Sequence, residues 1–166
     1  MAMAFKDAAA LAEAEEEEEQ LAAWAAVTSF KPCSLGLGEL PASVSLLTSL
    51  SLLWAHENAL FSLPEALPQS LVELYAHRNK LETLPASIGS LDRLNALWIH
   101  QNSLASLPDT IGSLRSLRDL VAYQNKLTQL PATIGRLHAL RSLALQQNEL
   151  SSLPDSIGTL RSLEHL

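Results

Sequence analysis

Leu94-Asn95-Ala96-Leu97-Trp98-Ile99-His100-Gln101-Asn102-Ser103-Leu104-Ala105-Ser106-Leu107-Pro108-Asp109-Thr110-Ile111-Gly112-Ser113-Leu114-Arg115-Ser116-Leu117 decides how this chain folds. Its leucines, isoleucines and single asparagine return in register along the sequence. Asn58, Asn79, Asn102, Asn125 and Asn148 mark the copies, with gaps of 21, 23, 23 and 23 residues. Frames open at Leu50, Leu71, Leu94, Leu117 and Leu140, and a sixth begins at Leu163. A degenerate half-repeat precedes them, where Leu37, Leu40 and Pro41 match Leu60, Leu63 and Pro64 but Leu35 stands in place of asparagine.

Self-similarity at a period of about 20–29 residues is the mark of a stacked solenoid. Over residues 35 to 166 the chain resembles the leucine-rich repeat family. The stretches Leu84 to Gly89, Leu107 to Gly112, Leu130 to Gly135 and Leu153 to Gly158 read LPxxIG, which is similar to the intracellular Ras-group repeats of plants and related scaffold proteins. Leu63 to Pro68 departs as LPxxLP, is two residues shorter, and looks like the short repeat of bacterial effectors. The resemblance implies an α/β fold, a right-handed leucine-rich repeat solenoid. Its concave face is a parallel sheet, and its convex side is irregular or made of short helices.

Each repeated residue has a physical task. Leu94, Leu97 and Ile99 point inward from a short strand, and Leu104, Leu107, Ile111, Leu114 and Leu117 fill the core. Asn102 both donates and accepts, so it can pair backbone groups that the turn would orphan. Pro108 fixes φ after Leu107. Gly112 is expected to permit a backbone conformation that other residues resist. Serine recurs in the frames, as at Ser87, Ser113 and Ser156, which marks it as structural. The third inward column, Ala55, Ala76, Ile99, Ala122 and Leu145, holds three alanines that call for compensating neighbours or tighter curvature.

The ends differ from the middle. Residues 1–33 are rich in Ala and Glu, good helix formers, and divide from the repeats at 34–166, which comprise one degenerate, five full and one truncated copy. A helix from about Glu13 to Ser29 with Trp24 inward would cap the first repeat, because a solenoid needs a polar outer cap. Partner binding by this helix is the rival reading. Glu15 to Glu19 is read as a solvated face and, less simply, as an acidic docking tail. After Leu166 no cap follows, so self-association through the uncapped C-terminal end is expected. The unfinished frame also allows a piece of a longer protein.

Composition sets further bounds. Hydrophobic residues make up 48% of the 166 and aromatics only 5%, as a leucine-packed solenoid requires. The net charge is −7. Residues 1–31 hold two lysines against seven acids, which leaves −2 for the remainder. No basic stripe suits nucleic acid, and no apolar run is long enough for a membrane span. Cys33 is the only cysteine, which fits a reducing compartment and a cytoplasmic location. No secretory signal is visible.

Function should lie at positions that vary between repeats. Side chains alternate along a strand, so the residues between inward leucines face the concave surface. The central column reads Trp54, Tyr75, Trp98, Val121 and Ala144. Beside it run His56, His77, His100, Tyr123 and Gln146, and then Glu57, Arg78, Gln101, Gln124 and Gln147. On the other side lie Ser51, Val72, Asn95, Arg118 and Arg141, and Leu52, Glu73, Ala96, Asp119 and Ser142. Exposed aromatics of this kind anchor protein partners. The candidate partner-binding residues are Trp54, His56, Tyr75, His77, Arg78, Trp98, His100 and Tyr123. Cross-strand packing alone is the competing explanation of the aromatic column. Three histidines at strand spacing raise metal binding, but no carboxylate or thiol completes a set beyond Glu57. They also raise pH sensing, since protonated imidazoles in a stack repel.

No motif specifies catalysis, and neither cofactor nor metal is expected. The chain is read as a non-enzymatic protein–protein interaction module of signalling-scaffold type. Its resemblance implies a small GTPase or another signalling protein as partner. The alternative is a regulatory or substrate-recruiting part of a longer enzyme such as a kinase or ubiquitin ligase.

Overall fold

A computed structural model describes residues 22–166. Among them, six short parallel strands form one sheet in sequence order. They are β1 (Ser29–Phe30), β2 (Leu52–Trp54), β3 (Glu73–Tyr75), β4 (Ala96–Trp98), β5 (Asp119–Val121) and β6 (Ser142–Ala144). The register advances by one repeat at every step, so Leu53, Leu74, Leu97, Leu120 and Leu143 form a single row. Each is no more than 1% exposed. Leu50, Leu71, Leu94, Leu117 and Leu140 form a second fully buried row. The architecture is an α/β leucine-rich repeat solenoid with an open parallel sheet.

The asparagines hold the register. Asn102 Nδ2 donates to the Ile99 carbonyl of its own repeat at 3.0 Å and to the Ala76 carbonyl of the preceding one at 3.0 Å. Its Oδ1 accepts from the Leu81 amide at 2.9 Å. Asn58, Asn79, Asn125 and Asn148 repeat the pattern. Every carbonyl of the third inward column from Ala55 to Ala122 therefore accepts from two successive asparagines. The alanines of that column are fully buried. At the degenerate half-repeat, Leu35 turns outward, 67% exposed, and gives its amide to Asn58 Oδ1 at 3.1 Å.

One backbone feature of this turn is invisible in residue type. The residue before each asparagine is left-handed, with φ of 56° at Glu57, 54° at Arg78, 56° at Gln101, 53° at Gln124 and 57° at Gln147. None is glycine, and such a conformation costs roughly 1–2 kcal/mol for an L-residue. The asparagine bonds that follow hold the strained turn in place.

The convex side is built from 3₁₀ helices, the short-helix form of the two expected. They span Ala42–Leu46, Ala86–Ser90, Asp109–Ser113, Ala132–Arg136 and Asp155–Thr159. A proline precedes each, extended with φ between −64° and −67°. The fixed ring delivers the chain to the turn in the needed direction. The shorter LPxxLP repeat between β2 and β3 lacks this helix. Hydroxyls add a second ladder. Thr110 and Thr133 donate to the Ala86 and Asp109 carbonyls at 2.7 Å each, and Ser87 donates to that of Glu65. The structural role expected of serine therefore holds at Ser87, whereas the Ser156 hydroxyl has no partner.

Two expectations are corrected. Gly112 is not needed for an unusual φ, since Gly36 is the one glycine with positive φ among the described residues. It is needed for close approach, because a Cβ there would overlap the Thr133 carbonyl oxygen. Gly89 and Gly135 meet the next repeat in the same way, whereas Gly158 has nothing within 4 Å. The second correction concerns the N-terminal cap. Helix is present at 22–25 and gives way before Ser29. Ser29 and Phe30 instead pair with Leu52 and Leu53 as the first strand. Burying Val27 and Phe30 against the core favours the strand. Trp24 remains 40% exposed, at a groove of about 290 Å³ against Pro41, Val44 and Leu47. The rest of the expected helix, Glu13 to Leu21, lies outside the described residues.

Asn125→Ala should lose about 1–3 kcal/mol in urea unfolding, because it orphans buried amide and carbonyl groups; an unchanged midpoint would refute the ladder. Gly112→Ala should destabilise by about 1–3 kcal/mol through overpacking, while Gly158→Ala should unfold like the parent.

Candidate functional site

The common register places the outward residues of successive strands side by side. Trp54 lies opposite Tyr75, Tyr75 opposite Trp98, Trp98 opposite Val121, and Val121 opposite Ala144. The rings meet edge to face, at 5.9 Å and 88° for Trp54–Tyr75 and 4.9 Å and 84° for Tyr75–Trp98. Edge-to-face contact sets the positive rim of one ring against the negative face of the next. Trp98 keeps 36% of its surface exposed.

The histidines lie two residues further along each strand and stack face to face. His56 and His77 are 4.6 Å apart at 4°, and His77 and His100 are 4.4 Å apart at 10°. Tyr123 continues the stack on His100 at 4.3 Å and 19°. Centroid separations slightly under the interstrand spacing of about 4.7–4.9 Å close the gaps between rings. Packing from both sides leaves His100 only 7% exposed. Trp54, His56, Tyr75, His77 and Trp98 line a cleft of about 280 Å³.

The electrostatics follow from this packing. Burial holds the His77 pKa down to about 4, helped by His100, His56 and Arg78. Burial also lowers that of His100, with Arg78 a second cause. His77 is therefore neutral at neutral pH, and its protonation falls well below the range expected of a sensor near neutrality. The Nδ1 atoms of His56, His77 and His100 are buried without a protein partner. An N–H there would be an unpaired buried donor, which favours the tautomer with its proton on Nε2 wherever a ring is neutral. Tyr75 Oη donates to Glu73 Oε2 at 2.7 Å. Burial, with Glu73 and Asp119 nearby, raises the phenol to about 12.

Seven of the eight candidate residues, Trp54, Tyr75 and Trp98 with His56, His77, His100 and Tyr123, form one continuous ring surface. Arg78 lies apart in a polar row along the left-handed turns. Its guanidinium pairs with Glu57 at 2.5 Å and donates to Gln101 at 2.9 Å, while Ser34 donates to Glu57 at 2.9 Å. The Ser34 hydrogen bond, then that from Arg78, holds the Glu57 carboxyl below its ordinary range. The imidazoles lie parallel and in contact face to face, which leaves no room for an ion between the rings. Among the described residues, no group of three or more His, Cys, Asp or Glu is placed to hold a metal.

The sequence places Glu73 and Asp119 on this surface without giving them a role, and it does not bring Lys31 there. Lys31 Nζ lies 4.1 Å from the Trp54 ring centroid. The signal was the period, since Lys31 precedes Trp54 by the 23 residues of one repeat, but Lys31 had been assigned to the cap. Among the described residues, no helix is long and apolar enough to cross a membrane.

Comparison with known proteins places the chain among leucine-rich repeat structures. A leucine-rich repeat protein of Leptospira interrogans is 33% identical, with a TM-score of 0.62 over 79% of this chain and 40% of its own. The ectodomain of the Arabidopsis thaliana membrane receptor kinase GASSHO1, in complex with CASPARIAN STRIP INTEGRITY FACTOR 2, is 31% identical, with a TM-score of 0.71 over 84% of this chain and 18% of its own. The Arabidopsis receptor kinase HAESA, in complex with a peptide hormone and a co-receptor, is 28% identical, with a TM-score of 0.73 over 84% of this chain and 25% of its own. The chain thus spans less than half the length of each. No family model and no curated protein matches the sequence.

A histidine with a depressed pKa destabilises the fold as acid charges it. Stability should fall as pH drops from about 6.5, the ordinary histidine value, towards the value of about 4 held by His77, and the His77 contribution should level off below that. Thermal unfolding of the parent and of His77→Gln across this window checks it, and the variant should show the shallower slope. Parallel slopes would contradict a buried neutral stack.

Proposed function

We propose that this chain is a non-enzymatic protein–protein interaction module that takes its partner on the concave face. The observation that carries this reading is the continuous ring surface from Trp54 to Tyr123, with Trp98 36% exposed at its centre. A rigid sheet presents these rings at little cost in side-chain entropy, and buried-edge aromatics of this type dominate binding energy where they occur. Edge-to-face pairing also stabilises the sheet itself, but that gain does not require an open cleft of about 280 Å³ above the rings. Two of the structural neighbours support the reading, since the GASSHO1 ectodomain is seen with a bound factor and the receptor kinase HAESA with a peptide hormone.

The LPxxIG repeats, similar to the Ras-group type, favour a cytoplasmic signalling scaffold whose partner is a small GTPase or another signalling protein. Trp54, Tyr75 and Trp98 anchor the contact, and His56, His77, His100 and Tyr123 supply its polar flank. Arg78 acts at the rim, where its pairing with Glu57 fixes its direction.

Trp98→Ala should weaken capture of proteins from native lysate by roughly tenfold or more, the scale of a hot-spot anchor, while keeping its unfolding transition. Arg136→Ser on the convex side should capture as the parent does. Equal capture by all three proteins would sink the concave-face reading.

A further inference from the structure

We infer that the concave face recognises a basic side chain, an arginine or a lysine, on the partner segment that crosses it. The inference rests on the reading of that face as a partner surface and adds the chemistry of the partner. Lys31 already places its ammonium 4.1 Å from the centre of the Trp54 ring. The aromatic column thus binds a cation within the molecule, at the distance where a ring quadrupole attracts one. Lys31 is the counterpart of Trp54 one repeat earlier, so it covers only the first ring. Tyr75 and Trp98 have no such cation among the described residues.

Carboxylates stand beside those two rings. Glu73 pairs in register with Ala96, and Ala96 with Asp119. Ala96, only 8% exposed, separates the two acids, which lie roughly 9–10 Å apart across two interstrand spacings. Trp98 and Tyr75 stand opposite each other in the next column. Both acids lie close enough to Tyr75 to raise its pKa. Neither takes part in an ion pair, since Arg78–Glu57 is the one salt bridge among the described residues. Tyr75 occupies one oxygen of Glu73 and leaves the other open.

A guanidinium or ammonium seated on the face between these acids would meet the aromatic rings and two charge-assisted acceptors. An acidic side chain would meet like charge. Burial keeps His77 on the far side neutral, so it sets no positive charge against the ligand. The net charge of −7 favours approach of a basic partner at long range.

The test uses the full chain and NMR of the tryptophan indole N–H groups, with Trp24 as an internal reference away from the sheet face. Short blocked peptides of alternating glycine and arginine, glycine and glutamine, or glycine and glutamate are titrated in turn. The arginine peptide should shift Trp54 and Trp98 saturably and leave Trp24 in place. Asp119→Asn and Glu73→Gln should each weaken that response about tenfold. An equal response to the glutamine peptide, an arginine response unchanged by Asp119→Asn, or no response to any peptide overturns the proposal. The first and last of these, found with Trp98-dependent capture intact, remove the cation and leave the partner face standing. Loss of Trp98-dependent capture as well removes both.

Discussion

Everything in this molecule is referred to one hydrogen-bonding arrangement, the asparagine in the turn that follows each strand from β2 to β6. Its amide reaches two carbonyls and one N–H spread over two repeats, at distances near 3 Å. A side chain that saturates three buried backbone groups at once tolerates almost no slippage. It therefore sets where each repeat sits on the last. The left-handed residue before it is the local cost of turning the chain into that geometry. Leucine burial provides the driving force, but leucines alone would accept several registers, and the amide accepts one.

Register fixes more than the core. The translation that stacks Leu53 on Leu74 and Leu97 also stacks whatever stands at the outward positions. Here those residues are rings. Copying an aromatic or an imidazole at strand spacing makes neighbours bury one another, so residues on a surface acquire properties of an interior. His100 is nearly inaccessible, and His77 loses its basicity to burial before any charge is considered. The face is thus neutral and apolar at its centre. Glu73 and Asp119 lie along one side, and the row of Glu57, Arg78 and Gln101 along the other. The convex side obeys the same rule with different chemistry, where carbonyl contacts crowd Gly89, Gly112 and Gly135 and hydroxyls cross from repeat to repeat.

Much of this was legible in the residues. The asparagine spacing and the LxxLxL frame placed every inward leucine. Strand alternation assigned Trp54, Tyr75 and Trp98 to one column and the histidines to the next. Other features were not legible, for identifiable reasons. Ser29–Phe30 is too short to show a period of two, and its neighbours are helix formers, so composition pointed to a helix where pairing with β2 prevails. Glycine was read through conformational freedom, its commonest use, whereas here the next repeat's backbone excludes a Cβ. Lys31 was hidden because it precedes the first clear repeat.

The sequence by itself determined the solenoid, its register and the identity of each column, because a fixed period with a polar residue at one phase admits a single way to stack. Only the tertiary structure decided how the side chains within a column meet. Tilted or stacked rings, a neutral or charged imidazole, a lysine over a tryptophan and two carboxylates outside any ion pair all depend on distances between residues about one repeat apart. Spacing in sequence brings such residues to neighbouring strands, but packing in three dimensions sets their angles, their burial and their charge.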